Sequence, residues 1–363
     1  MKTNIFNSNQ IRINFYIATI TILTTACTVA SPTPTTTISS PQELTVMVHD
    51  SFAASDGVIQ EFEEEHNTKI IFLPSGDTGT ALNKAILSKG NPLADVFYGV
   101  DNTFLSRALD EGIFDAYNSP ILGEIPTEFK LDSNNYVLPV DYGDVCLNYD
   151  KVYFQDKSLT PPLSLEDLLK PEYRSLLVVQ NPATSSPGLA FLLITIAHFG
   201  EDGYLDYWNQ LKGNDVLIVN DWETAYYTEF SGSSGKGPRP IVVSYDSSPA
   251  FEVIYAETPI TEPSTAAIVT DGTCFRQIEF VGILKGGANR ELGEKWIDFM
   301  LSPRFQEDMP LQMFVFPVNP KAKLDEAFLK FLKLPTTTAF ISPQAIAQNR
   351  EKWIQNWTEA ILR

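Results

Sequence analysis

LTVMVHDSFAASDGVIQEFEEEHNTKIIFLPSGDTGTALNKAILSKGNPLADVFYGVD, residues 44–101, decides the fold. Leu44-Thr45-Val46-Met47-Val48 has the apolar, β-branched content of a strand. From Asp56 to Glu65, Val58, Ile59 and Phe62 recur at helical spacing while Glu61, Glu63, Glu64 and Glu65 fall outside, an amphipathic helix. Lys69–Leu73 reads as a second strand and Gly79–Lys89 as a helix stopped at Gly90. Ala94–Val100 is a third strand, followed by a helix over Asn102–Glu111 that ends at Gly112. Strand and helix alternating at this spacing specify an α/β domain with a largely parallel sheet. In such sheets ligands bind beyond the carboxyl ends of the strands. Three of those ends are polar: His49-Asp50-Ser51, Ser75-Gly76-Asp77-Thr78 and Asp101-Asn102.

Downstream, Tyr136 to Tyr149 reads as crossing strands. A second α/β pattern then begins with strand Leu176–Gln180, the turn Asn181–Gly188, an apolar helix Leu189–Phe199 and a helix near Tyr204–Leu211. Strand Val216–Val219 and strand Ile241–Ser244 follow, and after about Ala267 the chain is expected to return to helices, including Glu294–Leu301 and Pro343–Leu362. Two α/β lobes joined by crossing strands make a clamshell.

Ahead of the lobes, Lys2 and Arg12 precede the apolar run Ile13–Leu23 and then Thr24-Thr25-Ala26-Cys27. A basic start, a short apolar middle and small residues at a cleavage point make residues 1–26 a secretory signal. Thr-Thr-Ala-Cys resembles a bacterial lipobox, so Cys27 is the expected lipidation site. Residues 27–42, rich in Ser, Thr and Pro, are an expected tether because they hold too little apolar surface to fold. The chain is thus expected outside the cytoplasm, in the periplasm or on the outer face of the cell membrane, held by lipid alone.

The chain has 26 Lys and Arg against 45 Asp and Glu, a net charge of −19 over 363 residues. That balance argues against nucleic acid and anionic lipid as partners and is compatible with a cationic ligand. With three histidines in all, a His-rich metal site is not expected, and no cofactor or metal is called for. Past the signal only Cys27, Cys146 and Cys274 remain. The last two are available for one disulfide outside the cytoplasm, and the sequence alone does not say whether they meet. There is no His-Glu-x-x-His, no Gly-x-Ser-x-Gly and no Gly-x-Gly-x-x-Gly after a strand, so an enzyme is not expected. The run Gly232–Gly237 lacks the spacing of a phosphate loop and reads as a surface turn.

Two features remain as site candidates. The turn Thr184-Ser185-Ser186-Pro187-Gly188 offers hydroxyls and N–H groups at a helix start, which suits an anion or a hydroxyl or is simply a capping turn. Aromatics Trp222, Tyr226, Tyr245, Phe251 and Phe314 lie near strand ends and turns, where flat rings beside carboxylates suit a flat cation or pack in the lobe interface.

Read in order, Asp50-Ser51-Phe52-Ala53-Ala54, Ala94-Asp95-Val96, Gly99-Val100-Asp101-Asn102, Asp141-Tyr142-Gly143, Asn181–Leu189, Trp222-Glu223-Thr224-Ala225-Tyr226 and Ser244–Ala250 resemble motifs of bacterial thiamine-binding periplasmic proteins. The likeness runs from Leu44 to the C-terminus. It implies an α/β, type II periplasmic-binding-protein clamshell, each lobe a mixed sheet flanked by helices. Expected bounds are 43–141 with 266–312 for one lobe and 142–265 with 313–363 for the other. The resemblance implies a monomeric solute-binding component of an ABC importer. It would bind thiamine, thiamine phosphate or thiamine diphosphate between the lobes and deliver it to a permease and its ATPase. By that likeness Trp222 and Tyr245 stack on the ligand rings and the Thr184, Ser185, Ser186 and Gly188 turn holds the hydroxyl or phosphate end. Asp50, Asp77 and Asp101 would stand near the rings, and His49, Ser51, Tyr142, Tyr226, Ser248, Phe251 and Phe314 complete the expected site. His49 and Phe251 stand where the family has tyrosine, Phe314 where it has tryptophan, and Ser55-Asp56-Gly57 where it has another tryptophan. Tyr226-Tyr227 also resembles the tyrosine pair of ferric-iron-binding relatives, so Fe(III) or a polyamine is the alternative ligand. A secreted hydrolase using Ser51 or Ser185 is a third, weaker alternative.

Overall fold

The computed structural model describes residues 41–363. The expected signal peptide, Cys27 and nearly all of the expected tether lie outside the described residues. Among the described residues no helix is long and apolar enough to cross a membrane.

Among the described residues eleven strands form one continuous sheet network. They are β1 (Gln42–Val48), β2 (Thr68–Pro74), β3 (Val96–Asp101), β4 (Phe114–Asp115), β5 (Leu138–Asp150), β6 (Leu177–Gln180), β7 (Leu217–Val219), β8 (Ile241–Tyr245), β9 (Thr265–Ile268), β10 (Phe275–Leu284) and β11 (Phe316–Pro317). The order is β2-β1-β3-β10-β5-β8-β6-β7, with β4 on β10 and β9 and β11 on β5. β1 runs parallel to β2 and β3, and β6 runs parallel to β7 and β8. These two parallel blocks are the centres of a two-lobe α/β clamshell. Between them run the antiparallel strands β5 and β10, which pair from Leu138 opposite Val281 to Val145 opposite Phe275. β5 is 13 residues long, about 40 Å of chain, enough to serve both lobes.

The apolar spacing read from the sequence explains the layers. Helix Asp56–His66 buries Val58 and Phe62 and ends at Asn67, whose φ of 46° is the left-handed stop of a helix. Phe62 packs edge-on against Trp296 of helix Arg290–Leu301 with ring centres 5.0 Å apart. Across the other block, helix Ser186–Gly213 is broken at Gly200 (φ 73°, ψ 172°), so it serves as the two helices expected from the pattern. Its Trp208 meets Trp357 of the final helix, Pro343–Ile361, at 5.3 Å. Each fully buried Trp or Phe contributes about 2–3 kcal/mol by burial.

One stretch differs from expectation, and one pairing left open is settled. The chain was expected to return to helices after about Ala267, and instead carries the end of β9 and all of β10 before the helix Arg290–Leu301 begins. Arg276, Gln277, Glu279 and Gly282 interrupt the apolar run of β10, yet the strand is buried nearly throughout because it crosses the molecule's middle. Cys146 and Cys274 form a disulfide across a sequence separation of 128 residues. Pairing of Val145 with Phe275 brings the two crossing segments together at that point.

Candidate functional site

Where the parallel strands end, a cleft of about 220 Å³ opens between the lobes. One wall comes from the turn after β1, with His49, Ser51 and Ala53, and from the start of helix Thr78–Leu87, with Asp77 and Thr78. The facing wall holds Ser186 and Pro187 at the start of the long helix, then Trp222, Glu223, Tyr226 and Tyr227 beyond β7. Tyr245 ends β8, and Ser248 and Phe251 follow it. Gln277 and Glu279 of β10 and the segment Gln312–Val315 complete the lining.

The aromatic wall is fixed from behind. The Trp222 indole stacks on Tyr226 at 5.0 Å with an interplanar angle of 15°. Its ring N–H donates to Ser244 Oγ at 3.0 Å, and Ser244 lies 2.8 Å from Ser248 Oγ. Tyr227 meets both rings edge-on. Tyr245 donates its hydroxyl to Gln277 Oε1 at 3.3 Å. Phe251 sits edge-to-face on Phe314 at 4.0 Å. Phe314 holds a φ of 59°, a conformation that costs a bulky residue about 1–3 kcal/mol and concentrates at functional sites.

Hydrogen bonds join the two sides of the cleft, so the lobes are closed on each other. The Trp222 backbone N–H donates to Asp77 Oδ2 at 3.1 Å. The Gly79 N–H donates to the Thr184 carbonyl at 3.0 Å. Ser186 Oγ donates to Asp101 Oδ2. Gly79 is required for this approach, because a Cβ there would stand 2.6 Å from the Ala183 carbonyl oxygen.

The charge of the cleft is one-sided: Asp77, Glu223 and Glu279 line it, with no Lys or Arg among the described residues that do. Burial pushes Asp77 up to about 6, against hydrogen bonds that favour the carboxylate. Behind it burial raises Asp101 to about 7. Burial lowers His49 to about 4, so its ring is neutral near pH 7. The Tyr98 hydroxyl donates to Asp141 Oδ2 at 2.6 Å and lies 3.2 Å from Glu279 Oε2. Burial and the neighbouring Asp141 drive Glu279 well above the usual carboxylate range.

His49, Ser51, Asp77, Ser186, Trp222, Tyr226, Tyr245, Ser248, Phe251 and Phe314 thus come together in the cleft. The other expected site residues do not line it. Asp50 accepts from the Gly76 N–H at 2.7 Å, bracing the turn. Asp101 is fully buried and takes the Thr103 N–H at 2.5 Å. Tyr142 is stacked between Phe129 and Phe316, at 4.9 and 5.1 Å, with the Arg276 guanidinium 4.6 Å over its ring. Thr184 donates to the Asn220 carbonyl at 2.6 Å. Ser185 is fully buried as the N-cap of the long helix. Gly188 lets that helix start against β6, since a Cβ there would meet the Gln180 carbonyl oxygen at 2.5 Å.

Sequence reading missed Gln277, Glu279, Gln312 and Met313, quoted Glu223 only within a motif, and named Tyr227 only for the iron alternative. For Gln277 and Glu279 a signal existed: polar residues two apart inside an apolar run share one face of a strand. No set of three His, Cys, Asp or Glu side chains fit to hold a metal ion occurs among the described residues.

Comparison with known proteins gives the same architecture. A family model described as bacterial extracellular solute-binding protein matches residues 91–339. The chain is 32% identical over 327 residues to a thiamine-binding periplasmic protein of Salmonella typhimurium, covering 88% of this chain and 94% of that protein. Its counterpart in Escherichia coli is 31% identical over 324 residues, with the same coverage of 88% and 94%. A solved structure titled periplasmic thiamin binding protein superposes with a TM-score of 0.77 at 29% identity, covering 89% of this chain and 97% of that one. By fold, by sequence and by its interlobe cleft, this chain belongs to the bacterial extracellular solute-binding proteins and within them is similar to the thiamine-binding periplasmic proteins.

Proposed function

We propose that the cleft takes up thiamine or one of its phosphate esters outside the cytoplasm and hands it to the permease of an ABC importer, whose ATPase drives uptake. The observation that carries this reading is the lining itself: flat aromatic rings, with only acidic charge among them. Thiamine offers two flat rings, one of them a fixed cation. Attraction of such a cation to the faces of Trp222 and Tyr245 is worth roughly 0.5–2 kcal/mol each. The helix beginning at Ser186 turns its positive N-terminus toward the cleft, which suits the hydroxyl or phosphate end. Names of the similar proteins support the same ligand.

On this reading no bond is made or broken. The lobes, bounded as 43–141 with 266–312 and 142–265 with 313–363, close on the ligand as a hinge, and the closed form docks on the permease. Residues 1–26 direct export, Cys27 carries the lipid, and residues 27–42 tether a monomer to the membrane.

The Fe(III) alternative rests on Tyr226 and Tyr227, both of which reach the cleft. Against it, Tyr226 is stacked on Trp222, and burial pushes its phenol further up, away from the phenolate that Fe(III) prefers. Equilibrium dialysis against thiamine, its two phosphates, Fe(III) and spermidine tests the proposal. Saturable uptake of a thiamine form, a single ligand per chain, is expected. Uptake of Fe(III) or spermidine with none of the thiamine forms would overturn it.

A further inference from the structure

We propose that the cleft exchanges a proton for its cationic ligand: the carboxyl pair Glu279–Asp141, joined at Tyr98, holds one proton when the cleft is empty and releases it to solvent when a cation is bound. This rests on the reading of the ligand as a cation.

Geometry requires the proton. Tyr98 stands 2.6 Å from Asp141 Oδ2 and 3.2 Å from Glu279 Oε2. A phenol has one hydrogen to donate, and the shorter contact takes it. The contact to Glu279 is then a hydrogen bond only if that carboxyl carries a proton of its own and donates to the phenol oxygen. Two ionised carboxylates here would otherwise repel across one buried phenol with nothing to offset them.

Among the described residues, the surroundings supply no positive charge. Facing Glu279 are His49 beyond β1, Tyr98 and Asp101 of β3, Asp141 of β5 and Tyr245 of β8. His49 alone among them can become a cation, and burial lowers it to about 4. Its Nε2 sits 3.6 Å from Glu279 Oε1 and has no hydrogen-bond partner among the described residues. Asp101 adds a like charge, which drives Glu279 further up. Two close buried carboxyls in such a place share a proton and titrate as a pair.

Glu279 is 4% exposed and lines the cleft, so the charge of a ligand reaches it. When a fixed cation enters, it takes over the neutralising role. The carboxyl O–H bond breaks, the electron pair stays on the carboxylate, and the proton passes to water. A quaternary thiazolium has no proton to lose, so protons released with thiamine come from the protein.

The test is calorimetry of the intact protein with unphosphorylated thiamine near neutral pH, in two buffers of different ionisation enthalpy such as PIPES and Tris. The expected result is a heat that differs between buffers by the release of roughly one proton per ligand. Linkage then requires Kd to tighten as pH rises, by up to about tenfold per pH unit. Glu279→Gln removes both the release and the pH dependence. Binding with equal heats in the two buffers overturns the proposal and leaves the ligand reading intact. Release that persists at wild-type size in Glu279→Gln also overturns it, assigning the proton elsewhere, for example to Asp77. Absence of heat with thiamine in either buffer overturns the ligand reading, and this inference with it.

Discussion

The Trp222 backbone N–H donates to the Asp77 carboxylate at 3.1 Å, tying the aromatic wall of one lobe to the cap of a helix on the other. The same carboxylate accepts the Thr78 N–H at 2.7 Å, so it holds its own helix while latching the opposite lobe. Asp77→Ala removes a hydrogen bond to a charged group, worth about 1.5–3 kcal/mol. The expected outcome is a ligand affinity weaker by about 10- to 100-fold, read by titration of intrinsic fluorescence. An unchanged affinity would remove Asp77 from the closure.

Closure can be blocked without touching a polar group. Gly79→Ala puts a Cβ about 2.6 Å from the Ala183 carbonyl oxygen, closer than two such atoms approach. Because the clash arises between lobes, it is relieved by opening the clamshell. Thermal unfolding should change little, while affinity falls at least tenfold, about 1.4 kcal/mol. A large loss of Tm with normal affinity would place the contact inside a rigid unit instead.

Trp222 stacks on Tyr226 and presents its indole to the cleft. Trp222→Ala is expected to weaken thiamine binding by at least tenfold, about 1.4 kcal/mol. Ligand-induced quenching of fluorescence should largely vanish with it. Wild-type affinity in this variant would take the ring out of the site.

Two fully buried carboxyls give stability an unusual pH dependence. Burial raises Asp101 to about 7 and Asp246 to about 8, both from 3.8. Each binds its proton more tightly folded than unfolded, so stability falls as pH rises toward the folded value. His49, lowered from 6.5 to about 4, acts with the opposite sign, and only below about 6.5. Between pH 6.5 and 8 the carboxyls act without it, and Tm is expected to drop across that window. Asp246→Asn should flatten the drop in a calorimetric scan series, and an unaltered slope would count against its buried, protonated state.

The disulfide Cys146–Cys274 closes a loop across 128 residues and ties the two crossing strands. Replacing both cysteines by serine is expected to cost about 2–5 kcal/mol of unfolding free energy in urea. Ligand affinity should stay within about threefold, since neither sulfur lines the cleft. A variant as stable as the parent would contradict the stapling role.

Much of this was legible from residues alone. Period-two and period-3.6 spacing located β1 to β3, the break near Gly200 and the final helix, because each element buries one apolar face against the sheet. What escaped was β10, where Gln277 and Glu279 lie on a strand buried at nearly every position. In sequence such polar residues look like surface. In the fold they are interior because the strand runs under the cleft. The motif segments meet at the cleft, and within them two kinds of residue are mixed. Trp222 and Tyr245 face the cleft, while Asp101, Tyr142 and Gly188 support it from behind. Adjacent residues in a turn point in different directions, and spacing alone does not say which.

The central claim is that the acidic, aromatic cleft binds a thiamine form. Isothermal titration of the purified protein with thiamine, thiamine phosphate and thiamine diphosphate tests it most directly. The account predicts saturable heat with at least one of them, a single site per chain and a Kd of about 1 μM or tighter, near −8 kcal/mol. No heat from any of the three, with the protein folded by circular dichroism, would contradict it.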